Sequence, residues 1–192
     1  MRRRRGATRT HSPAECPPQS SPYSIEPLER RRHARATFSC GRPELDDYLK
    51  DRASQDVERN AAAVFVALPT ASTDVAGYYS LSALSVPLSD LPATAAKKLP
   101  RYPNVPATLL GRLAVDRRYQ RQGLGVFLLL DALARALRAT SDVGSVAVVV
   151  DAIDEPARAF YERCEFIALP DQRRRLFLPM KSIAKMIGGR RR

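Results

Sequence analysis

Between Leu109 and Gly125 the chain reads Leu-Leu-Gly-Arg-Leu-Ala-Val-Asp-Arg-Arg-Tyr-Gln-Arg-Gln-Gly-Leu-Gly. A strand-like apolar run gives way to a glycine turn, Gln120-x-x-Gly123-x-Gly125, and then to a helical repeat. The first amides of a helix have no carbonyl partner within it, and the helix dipole adds partial positive charge there. Such a turn gathers anions. Glycine lets the backbone approach a phosphate that a side chain would hold off. The chemistry implied is binding of a phosphate or pyrophosphate. A dinucleotide fingerprint needs a third glycine where Leu128 stands, and a nucleotide-triphosphate loop needs Gly-Lys-Ser/Thr, which is absent. Taken alone, the six-residue pattern is also that of a plain helix start.

Other reactive residue types are sparse. The two histidines are His11 and His33, and His11 falls in a tail-like segment, which leaves no material for a Ser-His-Asp triad or a multi-histidine metal centre. No metal site is expected. Cys16, Cys40 and Cys164 are odd in number and widely spaced, fitting neither zinc nor disulfide spacing. They imply a reduced, cytoplasmic setting. Glu44, Asp46 and Asp47 form an acidic cluster on an early helix, where a solvated face is the plain reading.

The elements that would position the glycine turn follow from periodicity. Tyr23–Leu28 reads as a first strand. Pro43 opens a helical pattern through Leu45, Tyr48, Leu49 and Ala53 to about Arg59. Ala62–Leu68 and Val75–Val86, joined by the turn Pro69–Asp74, read as a hairpin. The proline-rich stretch 87–106 is expected to hold a short helix near Ala93–Leu99. In the strand Leu109–Val115, strict alternation puts Leu109, Gly111, Leu113 and Val115 on one face, and Leu110, Arg112 and Ala114 on the other. Val126, Leu129, Leu130, Leu133, Ala134 and Leu137 form the strongest amphipathic helix. Ser145–Val150 is apolar enough to be buried on both faces. Asp154 is a candidate N-cap, with Glu155 and Pro156 in the first turn of a helix running to Arg163. Leu176–Leu178 is expected to close the sheet, and the chain from Lys181 reads as basic and frayed. Hairpins mixed with strand–helix–strand units give an α/β (α+β) class.

The 192 residues suit one domain with tails. Hydrophobic residues make up 44% and charged residues 27%, a globular composition. The formal charge is +12, and Arg2–Arg5, Arg9 and Arg190–Arg192 supply eight of it, leaving a mildly basic middle at 12 − 8 = +4. The balance favours an acidic or polyanionic partner. Residues 1–22 are read as a disordered basic, proline- and serine-containing tail, 23–187 as the domain and 188–192 as a basic C-terminal tail. No apolar run is long enough for a membrane span, and no apolar segment follows the arginine-rich start as a secretory signal would require.

The glycine turn matches the Q/R-x-x-G-x-G/A signature of the GCN5-related N-acetyltransferases, and the chain resembles that superfamily. A second segment, Asp154-Glu-Pro-Ala-Arg-Ala-Phe-Tyr-Glu-Arg-Cys-Glu-Phe166, resembles its N-x-x-A-x-x-F-Y-x-x-x-G-F pattern, departing at Asp154 and at Glu165. The resemblance implies a mixed, mostly antiparallel sheet flanked by helices, with acetyl-CoA as co-substrate in a V-shaped opening. It places acetyl-CoA contacts at Leu113, Ala114 and Val115, at Arg121, Gln122, Gly123, Leu124, Gly125 and Val126, and at Asp154. The Val115 amide would polarise the thioester carbonyl. It makes Tyr161 the catalytic candidate, a phenol that protonates the departing thiolate and holds its own proton at neutral pH.

Phe38-Ser-Cys-Gly-Arg-Pro-Glu-Leu-Asp-Asp-Tyr-Leu49, Gly77-Tyr-Tyr-Ser-Leu81, Leu110–Val115, Leu129–Leu133 and Leu176-Phe-Leu-Pro179 resemble, more narrowly, the TacT/AtaT-type acetyltransferase toxins. That resemblance spans roughly residues 24–186. It implies acetylation of the α-amine of aminoacyl-tRNA and a block of translation. It also implies a ribbon-helix-helix antitoxin (DUF1778-like), operator DNA engaged only through the antitoxin complex, and a homodimer. An α-amine titrates near 8, well below lysine, so a dedicated base is not required. Lys97, Lys98, Arg101, Arg112, Arg117 and Arg118 are the candidate RNA contacts, Arg112 by its parity opposite to Leu113. Two other readings stay open: an acetyltransferase acting on a protein or small-molecule amine, and a non-catalytic acetyl-CoA-binding or co-repressor module.

Overall fold

The computed structural model describes residues 22–189. Nearly all of the expected N-terminal tail and residues 190–192 lie outside that range. The strands are β1 (Tyr23–Pro27), β2 (Ala63–Pro69), β3 (Gly77–Pro87), β4 (Asn104–Val115), β5 (Ala147–Asp151), β6 (Ile167–Leu169) and β7 (Gln172–Pro179). The helices are α1 (Pro43–Asp47), α2 (Ala53–Glu58), α3 (Ala93–Ala96), α4 (Leu124–Ala139), α5 (Glu155–Arg163) and α6 (Met180–Gly188). A π turn at Tyr48–Arg52 joins α1 to α2, so the single helical pattern expected from Pro43 to Arg59 is a helix with a wide turn at its centre.

All seven strands form one sheet in the order β1-β2-β3-β4-β5-β7-β6. Every pairing is antiparallel except β4 with β5. The β2–β3 hairpin and the doubly buried β5 agree with the sequence reading. Val148 and Val150 face α4, and Ala147 and Val149 enter a smaller cluster with Val105, Val86 and Phe177 on the other side.

Three expectations are corrected. β4 begins at Asn104, because Pro106 sits within the strand without ending it. Leu176–Leu178 lies in β7, which runs between β5 and β6, so the short β6 closes the sheet. The stretch after Pro179 is no frayed tail. It is α6, whose Ile183 is fully buried against the main core, with Met180, Met186 and Ile187 packed beside it. Spacings of three, three and one between these residues carry the helical signal that the flanking lysines obscure.

The main core lies between the sheet and α4, α5 and α6, where Leu128, Leu129 and Leu133 are at most 1% exposed. A second cluster, with Phe38, Tyr48, Leu49 and Tyr78, lies under α1 and α2 on the opposite face. Burying one such side chain is worth about 1.5–3 kcal/mol, so the two clusters clamp β3 and β4 from both sides. That clamp fixes the strand that carries the site.

Candidate active site

β4 is built in two halves. Its register against β3 shifts at Ser80/Leu81, where Arg112 pairs with Ser80 and Leu110 with Leu81, leaving Gly111 as the extra residue of a bulge. A side chain at Gly111 would crowd the Ser80 hydroxyl, 3.3 Å from its Cβ position. The bulge breaks the strict alternation expected from sequence: Leu110 lies on the α4 face with Leu113 and Val115, while Arg112 and Ala114 lie on the α1 face. Bulges bend a strand and raise its twist. Here β5 pairs with β4 only at Thr108, Leu109 and Leu110, and the strands diverge from there on.

The divergence leaves Gly111–Val115 with one unpaired edge. The Asp116 amide donates to Ala76 on the β3 side. Alternation along the strand therefore turns the Val115 and Leu113 backbone groups towards the gap. The Val115 carbonyl is met there by the side-chain amide of Gln120 at 2.9 Å, which also donates to the Cys40 carbonyl. The Val115 N–H remains directed into the opening. Gln120 heads the glycine motif but is absent from the candidate contacts inferred from sequence, and its role is to tie the loop down.

The loop that follows is shaped for an anion. Arg121 and Gly123 adopt left-handed backbone at φ 62° and 82°. Gly123 is the N-cap of α4, no side chain caps this end, and a Cβ there would meet nothing within 4 Å. The first-turn amides of Leu124, Gly125 and Val126 are thus open to a ligand. The Leu124 side chain is buried in the core, so its contribution to a ligand is its amide. Gly125 faces Phe160 and Val115, each 3.9 Å from its Cβ position, so α5 comes against the end of β4 here. A splayed strand edge followed by an uncapped helix start fits the pantetheine arm and pyrophosphate of acetyl-CoA.

On α5, Tyr161 packs between Phe160 and Phe166, with ring centroids at 5.2 and 5.4 Å. The residue is 7% exposed and its hydroxyl bonds to no described residue. Burial pushes its pKa well above the ordinary tyrosine value. A phenol of this kind keeps its proton and can donate it. Asp154 caps α5 by accepting from the Ala157 amide at 2.8 Å and pairs with Arg42 of the loop before α1. Both its oxygens are thus engaged by protein groups. Glu165 holds φ 68°, the left-handed position at which a glycine would be unstrained, so the turn survives the substitution.

The six candidate RNA-contacting cations do not form one patch. Lys97, Lys98 and Arg101 precede β4, and Lys98 lines a cleft of about 510 Å³ with Lys181 and Lys185 of α6. Arg117 and Arg118 follow β4, whose 12 residues span roughly 36 Å at 3.3 Å per residue. Arg117 lies against Gly41. Arg118 is bound to the buried Asp116. Arg112 lies over the ring of Tyr48. His33 is structural, accepting from the Glu29 amide and bonding Glu26. Among the described residues, no cluster of His, Cys, Asp and Glu is arranged to hold a metal.

Residues 28–166 match the family model of the Acetyltransferase (GNAT) family. The chain is 39% identical over 152 residues to the tRNA-acetylating toxin of Mycobacterium tuberculosis (strain ATCC 25618 / H37Rv), covering 79% of this chain and 89% of that one. It is 30% identical over 171 residues to the probable toxin TacT of Sinorhizobium fredii (strain NBRC 101917 / NGR234), covering 85% and 94%. Among solved structures, AtaT complexed with acetyl-methionyl-tRNAfMet superposes with a TM-score of 0.80 at 31% identity, over 86% of this chain and 99% of that one. A tyrosine-to-phenylalanine mutant of AtaT, bound to the C-terminus of the antitoxin AtaR and acetyl-CoA, gives 0.74 at 26% identity, over 87% and 99%. The KacTA–DNA complex gives 0.73 at 28%, over 87% and 99%. The fold expected from the resemblance is the one observed.

Proposed function

The chain belongs to the GNAT acetyltransferase family, and from that premise we propose that it is a toxin that transfers the acetyl group of acetyl-CoA to the α-amine of aminoacyl-tRNA and so blocks translation. The observation that carries this reading is the 39% identity to a tRNA-acetylating toxin across 79% of the chain. The gap beside β4 and the uncapped start of α4 supply a place for acetyl-CoA that agrees with it.

The residues divide the work as follows. The amides of Gly123, Leu124, Gly125 and Val126 hold the pyrophosphate, with Arg121 and Gln122 beside it. Leu113 and Val115 offer backbone groups to the pantetheine arm, Ala114 between them turns its own towards β3, and the Val115 N–H donates to the thioester carbonyl, where negative charge develops. The neutral α-amine attacks the acetyl carbon and the carbon–sulfur bond breaks. Tyr161 gives its proton to the sulfur and regains one from solvent; the amine's surplus proton leaves to water. Asp154 acts by capping α5 and so placing Tyr161.

A ribbon-helix-helix antitoxin (DUF1778-like) is the proposed neutralising partner, with operator DNA contacted through the complex. The solved neighbours AtaT with AtaR and KacTA with DNA support this. A homodimer and a cytoplasmic location complete the proposal. No helix of the described residues is long and apolar enough to cross a membrane.

The test uses purified protein, labelled acetyl-CoA and a pool of charged tRNAs, with uncharged tRNA and bulk protein as controls. Label confined to charged tRNA is the expected result. Label on protein or free amines instead, or on nothing, overturns the reading.

A further inference from the structure

Arg112 leaves β4 on the α1 side of the sheet, across from Ser80. Its guanidinium carbon lies 3.6 Å from the centroid of the Tyr48 ring. Tyr48 stacks on Tyr78 at 6.1 Å with planes 25° apart, and Tyr78 meets Phe38 edge-on at 5.6 Å. These three rings are each 2% exposed or less. A rigid aromatic column therefore sets the plane of the guanidinium.

The column ends in a guanidinium that has no anion paired with it among the described residues. Arg112 is half-buried, and it makes no ion pair and no side-chain hydrogen bond with any described residue. A guanidinium has five donors, and drawing it partly out of water is costly unless an anion meets it. The Tyr48 hydroxyl is buried and has no hydrogen-bond partner among the described residues. The Asp56 carboxylate and the Ser80 hydroxyl lie close enough to act on this hydroxyl without meeting hydrogen-bond geometry, and the Arg112 charge acts on it from the ring face. Tyr48 also opens the π turn, an irregularity frequent at functional sites.

We propose that Arg112, held flat by Tyr48, anchors the last phosphodiester of the charged tRNA, the one on the ribose that carries the aminoacyl ester; this rests on the aminoacyl-tRNA reading above. The spacing supports that choice. Arg112 stands three residues before Val115, about 10 Å along the strand. In the acceptor, eight single bonds separate the α-amine from the terminal phosphorus, roughly 10 Å when extended at about 1.5 Å per bond. With the amine at the Val115 amide, that phosphate arrives over Arg112. The pyrophosphate of acetyl-CoA belongs at the start of α4, beyond the opposite end of this segment, so Arg112 is left for the acceptor. Tyr48 is a positioning residue that acts through Arg112.

The experiment compares the parent protein with Arg112→Gln and Arg112→Lys, measuring kcat, KM for charged tRNA, KM for acetyl-CoA and the dependence of the tRNA KM on salt. Arg112→Gln is expected to raise the tRNA KM about tenfold and to reduce the salt slope by about one, as loss of one phosphate contact requires. The acetyl-CoA KM stays within twofold. Arg112→Lys keeps the slope, because the charge remains, but raises the tRNA KM, because the flat stacked fork is lost. An unchanged tRNA KM and slope in Arg112→Gln overturns the proposal, as does an equal rise in the acetyl-CoA KM. If Arg112→Gln fails to fold, an unchanged tRNA KM in Arg112→Lys overturns it. A parent protein inactive on charged tRNA defeats the functional reading instead, a result distinct from an active parent with an indifferent Arg112.

Discussion

Asp116 and Arg118 hold each other across a single 3₁₀ turn: the Arg118 guanidinium donates to both carboxylate oxygens of Asp116, at 2.9 and 3.1 Å. The Arg118 amide and the Ser39 amide donate to the same carboxylate. A 2% exposed charge is thereby fully met by donors, and the exit of β4 is tied to the loop before α1. Arg118 is thereby held by the protein's own carboxylate beside the glycine loop.

Acid stability follows from that pair. Burial pushes the Asp116 carboxyl up, but the Arg118 hydrogen bonds, the Ser39 amide and the arginine charge outweigh it and hold the pKa below the ordinary 3.8. The folded value is depressed, so the stabilisation is present above pH 3.8 and is lost as pH falls through the folded pKa. Arg118→Ala is expected to cost about 1–2 kcal/mol at neutral pH, allowing for the solvent exposure of Arg118, and to move the acid-unfolding midpoint upward. Circular dichroism against pH checks both. A salt slope for tRNA that drops by about one without loss of stability would return Arg118 to the RNA contacts.

Tyr161→Phe removes one oxygen from a well-packed ring. Loss of a general acid is expected to lower kcat by at least about a hundredfold, while acetyl-CoA affinity stays within about twofold. Because the folded pKa is raised, kcat in the parent should show no tyrosine limb on the alkaline side up to about pH 10. Stopped-flow rates across that range, with calorimetric binding of acetyl-CoA, decide it. A fully active variant removes Tyr161 from the chemistry.

Gly123→Ala isolates the glycine turn. The φ of 82° should cost about 1–2 kcal/mol in any L-residue. Its new methyl meets no protein atom within 4 Å, so a steric effect beyond the backbone cost is one exerted on a ligand. The acetyl-CoA KM should rise about tenfold, roughly 1.4 kcal/mol. Gly144→Ala, which also meets nothing within 4 Å but lies far along the chain from the site, is the control and should leave that KM unchanged. Equal effects from both would show that the turn is not a binding loop.

Ile183→Ala tests the C-terminal helix. The side chain is fully buried, and its truncation should cost about 2–5 kcal/mol in urea unfolding. Lys181→Ala, on the exposed face, should stay within about 0.5 kcal/mol. A mild effect at Ile183 would restore the reading of this segment as frayed.

Most of the architecture was legible because its signals are local. The hairpin, the α4 stripe and the Asp154 cap each depend on residues close in sequence, and each lies where periodicity puts it. What escaped depends on distant partners. The bulge at Gly111 arises from pairing with Ser80, thirty-one positions earlier, so alternation alone misassigned Leu110. β6 has three residues, too few for a pattern, and α6 hid behind its lysines. At the site, the glycine turn announced itself, but the partners of its charged neighbours did not. Asp116 claims Arg118 and the Tyr48 ring claims Arg112 only once β3, β4 and α1 are assembled.

The extra residue in β4 also has a genetic meaning. Leu110 and Arg112 already point to opposite faces, so loss of the Gly111 codon would make them consecutive without turning either side chain over. Nothing in the core would be exposed by it. The strand would straighten and β5 would be free to pair further along, exchanging the ligand gap for hydrogen bonds. A three-nucleotide deletion thus removes the splayed edge of β4 while leaving both halves of the strand packed as before.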